Sequence, residues 1–361
     1  MGLRPKGVAG IHDIFGLSES LWGNYPIDWI FGLKDQDYGW GVFDSFKNWG
    51  IVEALSSSLG IYCSEGNTYR SFEVAGGASA QNIVPDNTRY TIPTGYPIQN
   101  APAGNLPNGV SNILYPAATQ LYTPGQLKIA GANAAALDEA SMQMGPDTTA
   151  SNVCPFSAVP SYSGTLLFEC RIKVPVSLGL ISESHGSTYF VGLAGSGSAI
   201  TGCPCASAAF DTTTSKIGFG CLSTDTANTL YLVYSRTTGT VQKVSTALLT
   251  LGSFPNSTYP TIGVGSYFKL GFRYEGRSQR LIPFVNGIAQ DGVTGTNQII
   301  GPSTVGGSAS DYGTSSTSWP NDALTLCTGL YQQGTAETYP YVTMDWWAAA
   351  QMPCIGAHGQ P

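Results

Sequence analysis

The clearest pattern along the chain is alternation of apolar and polar residues over short windows. In Leu166-Leu167-Phe168-Glu169-Cys170-Arg171-Ile172-Lys173-Val174, one set is Leu166, Phe168, Cys170, Ile172 and Val174, and the other is Leu167, Glu169, Arg171 and Lys173. Period two predicts an antiparallel strand with one buried and one wet face. Phe268 to Glu275 repeats the pattern. Shorter windows at Tyr189–Leu193, Ile217–Cys221, Leu230–Tyr234 and Leu324–Leu326 extend it, and Val42–Phe46 and Gly60–Cys63 predict the first strands. Asn286-Gly287 between Val285 and Ile288 predicts a tight hairpin. Asn133–Met144 could supply a turn or two of helix, but Ala140-Ser141-Met142-Gln143-Met144 alternates, so a strand is expected there. Many short strands joined by turn chemistry predict an all-β antiparallel sandwich.

Two stretches depart from this pattern. Residues 1–40 carry Trp22, Trp29 and Trp40 with Phe15, Tyr25 and Phe31, and show no clean period. Such an aromatic arm either covers its own domain or anchors on a neighbouring subunit. Residues 84–126 hold Pro85, Pro93, Pro97, Pro102, Pro107 and Pro116. That is too long for a hairpin loop and reads as an excursion from one sandwich over 41–352, followed by a tail at 353–361. The Gly/Ser/Thr tract at 306–318 reads as a surface loop.

Composition narrows the picture. Only 11% of the 361 residues are charged, against roughly 25% in an average soluble domain. The surface must therefore be built largely from Ser, Thr, Asn, Gln, Gly and Tyr. The net charge is −7 and no Lys/Arg run exists, so no nucleic-acid partner is expected. No apolar run approaches a membrane span, and the N-terminus MGLRPKGVAGIHDIF lacks the apolar core of a secretory leader. The eight cysteines are accordingly expected as reduced thiols, with Cys170, Cys221 and Cys327 serving as small core residues.

The order of the motifs is itself informative. TLLFECRIKV, YFVGLAG, KIGFG, YFKLGFRYEG, FVNG, LTLCTGL and YVTMDWWAAAQ follow one another over about residues 125–352. In this order they resemble the concanavalin-like (laminin-G-like) jelly-roll domains of tailed-bacteriophage structural proteins, and Met344-Asp345-Trp346-Trp347 after the penultimate strand is the most telling piece. The resemblance implies two curved antiparallel sheets and a place in the virion, assembled in the host cytoplasm, as a capsid decoration or cement protein. Expected partners are the major capsid protein or other virion proteins, and further copies of the chain, with a trimer as one arrangement. No membrane partner and no cofactor are expected. The alternative is a tail- or fibre-associated lectin-like module for host glycan.

Candidate chemistry is sparse. Glucanases of this fold carry Glu-x-Asp-x-x-Glu on one strand, since glycoside hydrolysis needs two carboxyls flanking one bond. That motif is missing. Asp138 and Glu139 are adjacent and so point to opposite faces of a strand, while Glu169 is expected on a solvated face beside Arg171 and Lys173. His12, His185 and His358 have no motif around them. Asp211 and Asp225 are acidic loop residues that could serve calcium but suit turns better. The aromatic residues remain. Trp22, Trp29, Trp40, Trp346, Trp347, Tyr339 and Tyr341 are the candidate assembly contacts. Of the consecutive pair Trp346 and Trp347, one ring is expected in the core and one outward, at an interface or as a sugar platform.

Overall fold

Alternating strands need partners on both edges and a cover for the apolar face, and the chain supplies both by forming two sheets packed against each other. The structure, a computed structural model, describes residues 16–33, 38–46, 50–54, 59–64, 67–74, 83–85, 127–130, 137–145, 156–160, 164–174, 179–182, 185–195, 205–206, 209–237, 242–244, 247–251, 262, 265–293, 298–305, 318–333 and 341–353. In chain order the strands are β1 (Trp40–Asp44), β2 (Gly50–Ala54), β3 (Leu59–Ser64), β4 (Asn67–Val74), β5 (Ile83–Pro85), β6 (Leu127–Ala130), β7 (Leu137–Met144) and β8 (Phe156–Ser157). They continue as β9 (Thr165–Lys173), β10 (Gly179–Ser182), β11 (His185–Gly195), β12 (Cys205–Ala206), β13 (Ala209–Phe210), β14 (Lys216–Cys221) and β15 (Thr229–Ser235). The last are β16 (Gln242–Lys243), β17 (Leu249–Thr250), β18 (Tyr267–Glu275), β19 (Arg280–Val285), β20 (Ile288–Ala289), β21 (Ala323–Gln333) and β22 (Tyr341–Gln351).

The first sheet has the order β20-β19-β18-β9-β22-β6-β5, with β1 joining β22 on the same edge as β6. The second has the order β16-β15-β14-β11-β21-β7-β4-β3-β2, and β10, β17 and β8 add short pairings to it. All of these pairings are antiparallel, and most neighbours are distant in sequence, as in a jelly roll. The strand expected at Ala140–Met144 forms as β7. The Asn-Gly hairpin also forms: Val285 pairs with Ile288, and Asn286 and Gly287 take φ of 49° and 77°, the left-handed pair that a two-residue turn requires. Most of the excursion, residues 86–126, and the tail from 354 lie outside the described residues.

The core lies between the sheets. Leu166, Phe168, Cys170 and Ile172 of β9 face it with Phe268, Leu270, Phe272 and Tyr274 of β18; from the second sheet come Tyr189, Val191, Leu193, Ile217 and Phe219. Phe168 stacks on Phe272 at 5.4 Å between centroids and meets Phe219 across the interface at 6.4 Å. A β-bulge sets the phase of β22. Met344 pairs with Ile172 and Trp346 with Arg171, so Asp345 is the extra residue. The one-residue insertion puts Met344 and Trp347, three positions apart, both into the core, and turns Trp346 to the opposite face.

Candidate functional site

The most distinctive chemistry lies on the outer face of the first sheet. Glu169 is in the middle of β9, pointing away from the core. Its cross-strand neighbours are Gly271 on β18 and Ala348 on β22. Such small neighbours leave a niche around the carboxylate. Residues 16–33, which contain a helical turn at Glu19–Trp22 and a wider π-type turn at Asp28–Leu33, fill it like a strap. The Ser18 N–H donates to Glu169 Oε2 at 3.0 Å, and Trp22 Nε1–H donates to the same oxygen at 2.9 Å. Leu21 lies over Gly271, where a Cβ would come within 2.7 Å of Leu21 Cδ2. Lys269 Nζ donates to the Gly16 carbonyl at 3.0 Å, and the Ser20 hydroxyl donates to the Gly287 carbonyl.

Apolar contact completes the layer. Leu17, Leu21, Trp22, Ile27 and Ile30 of the strap pack against Leu167, Ile282, Phe284, Trp346, Ala348 and Ala350 of the sheet. Glu169 is thereby buried, and its Oε1 has no hydrogen-bond partner. Burial pushes its carboxyl above the ordinary value, outweighing the Lys269 cation and the donors of Ser18 and Trp22, which pull the other way. The solvated face expected for Glu169 is therefore corrected. It holds only further along β9, where Arg171 is ion-paired with Asp345 and 41% exposed. There Arg171 and Lys173 sit 4.5 and 4.9 Å from the centroid of the Tyr267 ring.

Several candidate assembly contacts lie against the chain's own residues. Trp22 and Trp347 are fully buried and Trp346 is 5% exposed, so none presents a ring to a partner. Trp22 is held by Glu169, Trp346 lies beneath the strap, and Trp347 belongs to the inter-sheet core. Trp40 is half-buried against Phe156, with centroids 5.0 Å apart. Tyr341 is half-buried at the start of β22. The side chain of Trp29 and all of Tyr339 lie outside the described residues. The arm thus covers its own domain over 16–33, and Trp40 belongs to the sheet as the first residue of β1.

A second buried carboxylate ties the two sheets together. Asp44, ending β1, accepts from the Phe46 N–H at 2.7 Å, from Tyr69 OH at 2.5 Å and from Asn67 Nδ2 at 3.2 Å. Tyr69 on β4 of the second sheet in turn accepts from Trp347 Nε1 of the first at 3.3 Å. Phe46, at φ 55°, turns its ring into the same cluster, 5.7 Å from Trp347. The sequence shows little sign of this series of bonds, in which Tyr69 and Trp347 alone are 278 residues apart.

The loop acids serve turns, as their residue type suggested. Asp211 accepts from the Thr213 N–H at 3.0 Å, and Asp225 from the Leu222 N–H at 2.7 Å. The fully buried Lys216 ammonium donates to the Asp211 carbonyl and, at 3.1 Å, to that of Thr214. Asp322 accepts from the Ser215 hydroxyl at 2.8 Å and from that of Thr237. Among the described residues no group of three or more His, Cys, Asp or Glu could hold a metal ion. Cys170, Cys205, Cys221 and Cys327 are buried thiols, and burial holds the Cys170 thiol well above its ordinary value. That raises the cost of forming a reactive thiolate. His185 begins β11 with its side chain outside the described residues, as are His12 and His358.

No protein-family model matches the chain, and no curated protein matches it. Among solved structures it is similar to an endo-1,3-β-glucanase from Streptomyces sioyaensis, at 13% identity and a TM-score of 0.39, over 78% of this chain and 93% of the other. It is also similar to a β-glucanase from Bacillus licheniformis, at 12% identity and 0.35, over 86% and 97%, and to peanut lectin in complex with a nine-residue peptide, at 11% and 0.30, over 80% and 99%. At these identities and scores neither chemistry nor ligand carries over to this chain.

Proposed function

We propose that the protein is a non-catalytic structural component of a tailed-phage virion, decorating or cementing the capsid through the surfaces of its β-sandwich. The observation that carries the non-catalytic part is how its acids are engaged. Among strand carboxylates with described side chains, Asp44 is bonded to Phe46, Asn67 and Tyr69, and Glu169 to the strap. Asp345 is paired with Arg171, and Glu275 with Arg273 at 3.0 Å. Glycosidic cleavage needs an acid and a second carboxylate facing one open groove. These four instead hold the fold together. The virion part draws its support from the order of strand motifs that ends in Met344-Asp345-Trp346-Trp347.

The major capsid protein or another virion protein is the partner in this reading, with further copies of the chain beside it. Trp22, Tyr25 and Phe31 of the strap pack within the chain, so attachment falls to other surfaces of the sandwich. A glycan-binding module would need an open aromatic platform, and neither Trp346 nor Trp347 provides one. The test is mass spectrometry of gradient-purified particles from a culture producing this chain, alongside a reducing-sugar assay of the purified protein on β-glucans and alginate. The chain should travel with particles and release no sugar. Recovery only in the soluble fraction would overturn the virion part, and sugar release the non-catalytic part.

A further inference from the structure

We propose that residues 16–33 form a pH-responsive strap, whose docking on the first sheet is governed by whether Glu169 carries a proton. A carboxylate lies at the base of a slot between Gly271 and Ala348, and its donors come from the strap: the Trp22 indole N–H and Ser18 N–H reach one oxygen, Oε2, at 2.9 and 3.0 Å, and the Ser18 hydroxyl beside the carboxyl also favours its charged form. Oε1 is buried without a partner. A strap fastened only by apolar contact would need no acid beneath it, and a permanently charged anchor would be expected to have donors on both oxygens.

The charges around Glu169 do not remove this dependence. On β18, the Lys269 cation favours the charged form and also donates to the strap at Gly16, while Arg273 is paired with Glu275. On β9 itself, Arg171 is paired with Asp345 of β22, and Lys173 lies against Tyr267. The strap brings Glu19, Tyr25 and Asp28 but no cation. With the strap lifted, Glu169 is in water and titrates as an ordinary carboxyl. With the strap down, burial makes the charged form costly, so the docked state binds the proton more tightly. Acid therefore favours docking. Docking weakens as pH rises from the ordinary carboxylate range to the higher value in the niche, and is flat beyond it. Opening uncovers Leu167, Ile282, Phe284 and Trp346.

Amide hydrogen exchange on the full chain tests this. The Leu21 and Trp22 amides donate to the Ser18 carbonyl at 3.1 and 2.9 Å and report the docked strap, while the β14 amides report the sandwich. After correction for intrinsic rates, strap protection should fall as pH rises above an exposed carboxyl's value of about 4.3, by up to about ten-fold per pH unit, and level off once the raised value is passed. Protection of β14 should not follow it. Glu169→Gln, which mimics the protonated acid, should give high, pH-independent strap protection. Trp22→Phe, which keeps a ring but removes one donor to the docked carboxylate, should leave the onset of the fall in place and carry it to higher pH before it levels off. A flat wild-type profile, or the same slope in Glu169→Gln, would overturn the proposal. If Glu169→Gln also lowers β14 protection, Trp22→Phe decides, and a fall that levels off at the wild-type pH overturns the proposal.

Discussion

On one side of β9, Leu166, Phe168, Cys170 and Ile172 meet residues of the second sheet; on the other, Leu167 and Glu169 meet Leu21 and Trp22 of a segment nearly 150 residues earlier. The first layer is built by strands on both sides, each continuing for several residues, so every ring is enclosed by backbone ladders. The second is strand on one side only. Its other half is an aperiodic strap held by directed bonds to Glu169, Gly287 and the Lys269 ammonium. The inter-sheet layer is expected to open only with global unfolding, whereas the strap layer can open by itself.

This contrast can be broken most severely by removing the strap. Deleting residues 1–33 takes away Leu17, Leu21, Trp22, Ile27 and Ile30 and bares the face beneath. At roughly 1.5–3 kcal/mol per large apolar side chain, the loss should be on the order of 5 kcal/mol or more. The exposed patch should also drive association. Urea titration and light scattering check both, and an unchanged midpoint would refute the layer. Next in size, Trp347→Ala should cost about 3–5 kcal/mol in global unfolding. Trp346→Ala, although adjacent, should chiefly loosen the strap, which the exchange of the Leu21 amide would show.

Glu169→Ala strands the Ser18 N–H and Trp22 indole N–H without their acceptor, at about 1–3 kcal/mol. Its comparison with Glu169→Gln sharpens the point through pH. The folded state raises the carboxyl's affinity for its proton, so wild-type stability from this group is fully present below the ordinary carboxylate value. It is lost as pH rises through the raised one. Denaturation midpoints from pH 4 to 8 should show that decline in the wild type and lack it in Glu169→Gln. The smallest effect is expected at Arg171→Ala. Its pair with Asp345 is 41% exposed on the arginine side, so the loss should be no more than about 1 kcal/mol and should shrink with added salt.

Much of the first layer was legible in the sequence, because strict alternation on β9 and β18 states which residues face inward, and Asn286-Gly287 states where the chain reverses. The strap layer was harder to read, but it left a signal. On the nominally wet face of β9 stands Leu167. Leu281-Ile282-Pro283-Phe284-Val285 and Trp346-Trp347-Ala348-Ala349-Ala350 are apolar at every position, the mark of strands covered on both faces. Read together, those runs predict a cover for the outer face of the first sheet, and the aromatic residues near the N-terminus are the natural candidate. The bulge at Asp345 and the Asp44–Tyr69–Trp347 chain are a different matter. They depend on a one-residue slip and on contacts between remote segments, and no local pattern encodes either.

The claim that this sandwich is a fixed part of a virion is tested most directly by a particle reconstruction at side-chain resolution, from a culture producing this chain. The account predicts the two-sheet body in the shell lattice or joined to it, with the Trp22 indole folded back on Glu169 of its own copy and the contact made by other surfaces. Particles complete without this density, or density in which Trp22 is inserted into a neighbouring subunit, would contradict it.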